Sequence, residues 1–84
     1  MTKGAMKEFK VLGPGCRSCR LTAEMVQREA DRLGVEVLVE KVTDMVEIMR
    51  YGVMRTPGVV LDGTLVHTGG VPHVRTVREW LKSD

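Results

Sequence analysis

The chain has 84 residues, a formal net charge of +2 and a hydrophobic fraction of 43%, which fits one small globular domain. No cluster of Lys and Arg exceeds a pair and no aromatics interleave with them, which argues against a nucleic-acid or membrane-surface partner. No apolar run approaches the roughly 20 residues that span a bilayer, and residues 1–10 lack the apolar core of a secretory signal.

A cytoplasmic location is therefore expected, where a cysteine pair more often does chemistry or holds a metal than staples a fold. Only three aromatics are present, Phe9, Tyr51 and Trp80, so the core must be built from Val, Leu, Ile and Met.

Residues 1–5 read as a frayed start. Residues 7–12 read as a first strand with Phe9 and Val11 on one face. Gly13-Pro14-Gly15 then makes a turn, and Cys16-Arg17-Ser18-Cys19 holds the only two cysteines. The spacing Cys19, Ala23, Val26, Ala30, Leu33 forms one apolar helical stripe from about residue 17 to 33, with Glu24, Arg28, Glu29 and Arg32 on the other sides. Gly34 ends that helix. Cys19 heads the stripe and faces inward, whereas Cys16 stands at the helix start and faces out. The free N–H groups there carry partial positive charge and stabilise a thiolate. Arg17 and Arg20 add positive charge. One thiol is thus placed to attack and the other to resolve.

Residues 35–40 read as a second strand. Asp44 and Glu47 have capping-box spacing before a short helix with Met45, Ile48 and Met49 as its stripe, ending near Tyr51-Gly52. Arg55-Thr56-Pro57-Gly58 is a loop into a third strand at 59–61, and Asp62-Gly63 signals a tight hairpin to a fourth at 64–68. Gly69-Gly70 breaks that strand. Pro72 suits the first turn of a last helix, whose inward stripe is Val74, Val77 and Leu81. A βαβ half demands parallel strands and a right-handed crossover, and the hairpin demands an antiparallel pair. The fold class expected is α/β, in the order βαβ-αββα, with a four-stranded mixed sheet and three helices in a single domain over residues 1–84. With no apolar stripe left over, a monomer is expected. Met45, Met49 and Met54 read as core filling or a flexible rim. Arg55 reads equally as a groove-lining residue or a solvated loop charge, and His67 and His73 as surface residues.

Cys-x-x-Cys after the first strand, Thr56-Pro57 entering the third, a tight hairpin, Gly69-Gly70 and a closing helix resemble the thioredoxin and glutaredoxin fold. The Gly-x-Gly-Cys-x-x-Cys form is similar to the small "redox-active disulfide" members of that family. The resemblance spans about residues 7 to 82. It implies a thiol–disulfide oxidoreductase with Cys16 as nucleophile and Cys19 as resolving thiol, no cofactor and no metal. It implies a cis Thr56-Pro57 bond beside the disulfide, and a substrate surface of Thr56, Pro57, Arg17, Gly69 and Gly70. The partners implied are disulfide-containing proteins or small thiols and a thioredoxin-reductase-like electron donor. Arg17-Ser18 replaces the intervening dipeptides of thioredoxin and glutaredoxin, no Trp precedes Cys16, and Val71-Pro72-His73 follows the glycines where glutaredoxins hold the glutathione amine. A soft-metal carrier (copper, zinc or a metalloid) is the alternative, because thiolate pairs bind such ions on any scaffold. Heavy-metal-associated domains also place Cys-x-x-Cys after a first strand. They end on a strand and carry Met where this chain has Pro14.

Overall fold

The computed structural model describes residues 6–82. The elements are β1 (Lys7–Leu12), α1 (Arg17–Leu33), β2 (Val37–Val42), α2 (Met45–Arg50), β3 (Gly58–Leu61), β4 (Thr64–Thr68) and α3 (Val74–Lys82). The expected frayed start at residues 1–5 lies outside the described residues. The strands form one sheet in the order β2-β1-β3-β4. β1 runs parallel to β2 and antiparallel to β3, and β3 is antiparallel to β4. This is the four-stranded mixed sheet with three helices that the element order demands.

β1 is central, and its alternation divides the core between two faces. Phe9 and Val59 face α1 and α3, where they meet Val26, Ala30, Val77 and Leu81. Val11 extends this layer to Ala23 and Cys19. Leu12 and Val60 face the other way and meet Ile48 of α2 and Val53. Each fully buried Phe, Leu, Ile or Val among them contributes about 1.5–3 kcal/mol by leaving water. The sheet order also brings the C-terminal ends of β1 and β4 and the start of β3 to one end of the molecule, where the cysteines lie.

The hairpin forms as expected: Asp62 and Gly63 both take positive φ, 49° and 87°, the geometry a two-residue turn between twisted strands requires. Asp62 also ties the hairpin to β1, since its N–H donates to the Glu8 carbonyl at 2.8 Å and its Oδ1 accepts from the Glu8 N–H at 2.9 Å.

Several expectations are corrected. The second strand occupies 37–42 rather than 35–40. Gly34 ends α1 at φ 71°, its N–H donating to Asp31, while the Val35 N–H donates to Ala30 at 2.9 Å. That double cap commits Val35 to the helix end. The strand gains residues at its far end instead, where the Gly13 N–H donates to the Val42 carbonyl. Leu33 is exposed and does not complete the α1 stripe. Glu29, assigned to a solvated side, is only 3% exposed. α3 crosses α1 there, and Arg78 donates to Glu29 Oε1 at 2.9 Å while Arg32 lies 3.4 Å from Oε2. In α2, Asp44 caps by accepting from the Val46 N–H. Glu47 pairs with Arg50 rather than reaching back to close a capping box. A six-residue helix turns only Ile48 fully inward, so Met45, Val46 and Met49 stay exposed. Met54 is 93% exposed. The methionines are therefore a rim, and apolar surface does remain after the core is assigned. Pro72 is buried but precedes the last helix. His73 is the residue that caps α3, its Nδ1 accepting from the Arg75 N–H at 3.1 Å.

Candidate active site

The end of β1 delivers the chain into Gly13-Pro14-Gly15. Gly15 takes φ 93°, a conformation that glycine adopts without steric cost. The turn leaves Cys16 extended at the N-cap of α1. Cys16 is exposed and Cys19, one turn on, is 3% exposed. Both are free thiols, with Sγ atoms 3.0 Å apart and hydrogen-bonded.

This geometry divides the two sulfurs chemically. Cys16 is held below the ordinary thiol range, first by the hydrogen bond from Cys19 Sγ–H and then by the Cys19 amide. The amide contribution comes without a closed capping hydrogen bond to Sγ. Cys19 is pushed up, first by burial and then by giving its proton to that same hydrogen bond. No acidic residue sits in the first turn of α1 to offset the stabilisation of an anion. The outer sulfur is therefore the more readily ionised of the two, and the inner one the more readily protonated.

Gly13 makes the close sulfur pair possible. A Cβ on Gly13 would overlap Cys19 Sγ, and would stand 3.5 Å from Thr56 Cβ. The same point thus places Thr56 beside the Cys19 sulfur. The Thr56-Pro57 bond is cis and Pro57 is fully buried. No hydrogen bond engages the main-chain N–H or C=O of Thr56 among the described residues. The loop is fixed from behind by Gly69, whose N–H donates to the carbonyls of Arg55 (3.1 Å) and Pro57 (2.9 Å). Gly69 and Gly70 take φ 78° and 72°, and the Gly70 carbonyl lies 2.9 Å from His67 Nε2. The Gly69 amide is thus committed to the chain itself, whereas Gly70 stands exposed.

The sequence-derived residues therefore fall into two groups. Cys16 and Cys19 are in direct contact, Thr56 approaches Cys19 across Gly13 with Pro57 next to it in the chain, and Arg17 stands in the first turn of α1. Gly69 is hydrogen-bonded to the Arg55–Pro57 loop, and Gly70 next to it is hydrogen-bonded to His67 instead. From the sequence alone Gly13 reads only as turn. Its signal was a glycine straight after a strand, at a position where no positive φ is needed. His67 and His73 are engaged with Gly70 and the start of α3, and among the described residues no group of three or more His, Cys, Asp or Glu side chains is arranged around a metal site.

Comparison with known proteins agrees with this geometry. The family model for the thioredoxin domain matches residues 7–82. A protein named thioredoxin from Methanocaldococcus jannaschii is 38% identical over 78 residues, covering 93% of this chain and 90% of the relative. Another of that name, from Methanothermobacter thermautotrophicus, is 26% identical over 76 residues, covering 90% of this chain and 99% of the relative. With Cys-x-x-Cys at the head of α1, a cis proline beside it and these relatives along nearly its whole length, the chain belongs to the thioredoxin-domain family.

Proposed function

We propose that the chain is a dithiol–disulfide exchange enzyme that passes two electrons to disulfides of protein or small-thiol partners. The Cys16 thiolate attacks one sulfur of the target disulfide. A Cys16–target disulfide forms and the other target sulfur leaves as a thiolate. Cys19 then attacks Cys16 Sγ, its proton passing to a departing thiolate. The Cys16–Cys19 disulfide forms and the second target sulfur is released. The target is reduced by two electrons and the enzyme is oxidised by two. Turnover requires a dithiol donor, here a thioredoxin-reductase-like partner. The single observation that carries the reading is the unlike pair of thiols 3.0 Å apart, one exposed with a lowered pKa and one buried with a raised pKa.

Thr56 and Pro57 are the proposed contact for the substrate chain, because among the described residues the Thr56 main-chain groups have no partner, and they lie near Cys19. Arg17 and Gly70 extend that surface, and Gly69 holds it. The proposed place of action is the cytoplasm. No helix among the described residues is long and apolar enough to cross a membrane. Incubation of the reduced protein with a disulfide-bearing polypeptide tests the reading. Reduced polypeptide should appear in step with loss of protein thiols. Cys16→Ser should abolish this, and Cys19→Ser should accumulate the mixed disulfide. Equal rates in the native chain and Cys16→Ser would reject it.

A further inference from the structure

Charge is unevenly distributed around the sulfurs. Three of the eight arginines are matched by carboxylates: Arg32 and Arg78 by Glu29, and Arg50 by Glu47. Among the described residues Arg17, Arg20 and Arg55 have no ion pair, and all three are exposed. Arg17 follows Cys16 directly. Arg20 sits one turn above it, its N–H donating to the Cys16 carbonyl at 3.1 Å. Arg55 comes from the other side of the chain, next to Thr56, and its stem lies along Gly69. A Cβ at Gly69 would stand 3.5 Å from Arg55 Cβ and 3.8 Å from Nε. The bare glycine and the Gly69 N–H bond to the Arg55 carbonyl hold the base of this side chain and leave the guanidinium exposed. Arg28 and Arg75, on later turns of α1 and at the start of α3, are also without ion pairs among the described residues. Of the acids, Glu24 follows Arg20 by one turn without pairing to it, and Asp44 is engaged in capping α2. Glu8 and Asp62 lie together near the β3–β4 hairpin.

We propose that Arg17, Arg20 and Arg55 receive negatively charged side chains flanking the disulfide of a polypeptide substrate, so that the enzyme selects acidic disulfide-bearing segments. This deepens the exchange reading above and rests on it. A polypeptide fits better than a small disulfide because the cations stand on two separate elements. Between Arg55 and the sulfurs run the Thr56 main-chain groups, unpaired among the described residues, and beside Arg55 the apolar side chain of Met54 is exposed. An extended chain can use all of these at once. Guanidinium groups suit the role because their planar fork matches carboxylates.

The test uses single-turnover reduction by the fully reduced protein. Two synthetic peptides have the same sequence and internal disulfide, with Glu beside each cysteine in one and Gln in the other. The acidic peptide should react faster, on the order of tenfold at low ionic strength, and the advantage should shrink as salt screens the charges. Replacing all three residues (Arg17→Gln, Arg20→Gln, Arg55→Gln) should bring the ratio of rates close to one, and Lys at the same positions should restore most of it. Equal rates for the two peptides, or a ratio that survives the triple replacement, would overturn the proposal. So would a preference shown only between small disulfides, dithiodipropionate over hydroxyethyl disulfide, and absent from the peptides. Reduction of neither peptide would overturn the exchange reading and this one with it.

Discussion

Replacing Gly13 with alanine tests how the sulfur pair is built. The new methyl would occupy the space of Cys19 Sγ, with Thr56 Cβ 3.5 Å away on the other side. Gly13 is also held in place, since its N–H donates to the Val42 carbonyl at 2.9 Å. The loop therefore has little room to withdraw, and the sulfur must turn away. Overpacking a filled site costs about 1–3 kcal/mol, a large share of the stability of so small a domain. Turning the sulfur also breaks its 3.0 Å hydrogen bond to Cys16, the first cause of the lowered Cys16 pKa. Two losses should appear together in Gly13→Ala. Urea unfolding of the reduced protein should show the cost in stability, and thiolate absorbance against pH should show the Cys16 titration moved upward. A variant as stable as the native chain, with an unchanged thiolate titration, would refute the argument.

Cys19→Ala removes the hydrogen-bond donor without adding bulk. The pH profile of Cys16 alkylation should then move to higher pH, leaving less thiolate at neutrality, and an unmoved profile would mean that the helix end alone sets the pKa. Glu29 is held below the usual carboxylate range, first by the hydrogen bond from Arg78. Its contribution is therefore present above the unfolded carboxylate pKa and lost as pH falls through the folded one. The native chain should accordingly be more stable than an isosteric control, Glu29→Gln, at neutral pH, and urea unfolding at stepwise lower pH should show that advantage shrinking as the carboxylate protonates; an advantage that does not change with pH would contradict the assignment. His73→Ala deletes the acceptor that caps α3 and should cost about 1 kcal/mol, read by thermal unfolding with the redox behaviour retained.

The order of elements was legible because each has an unambiguous period or punctuation. The stripe from Cys19 to Ala30, the Asp62-Gly63 turn and Gly34 are local signals, and local signals survive folding. The opposed exposures of Cys16 and Cys19 followed from the same stripe. What was not legible depended on contacts distant in sequence. Glu29 looks like a solvated residue until Arg78, 49 positions away, comes to rest on it. Val35 looks like a strand residue because β-branching does not reveal that its N–H is already given to Ala30. The methionines of α2 look like a stripe because periodicity does not say how little a six-residue helix can bury. The part of Gly13 in the site needs three elements in place at once: the end of β1, the first turn of α1 and the loop at Thr56.

The central claim is that Cys16 and Cys19 form a reversible dithiol–disulfide couple. Equilibrating the protein in dithiothreitol buffers of known potential, trapping free thiols and counting them by mass, tests it most directly. The account predicts one reversible two-electron transition, abolished by Cys16→Ser. A pair that stays reduced across the whole range, or a protein that carries stoichiometric soft metal on these thiols, would contradict it.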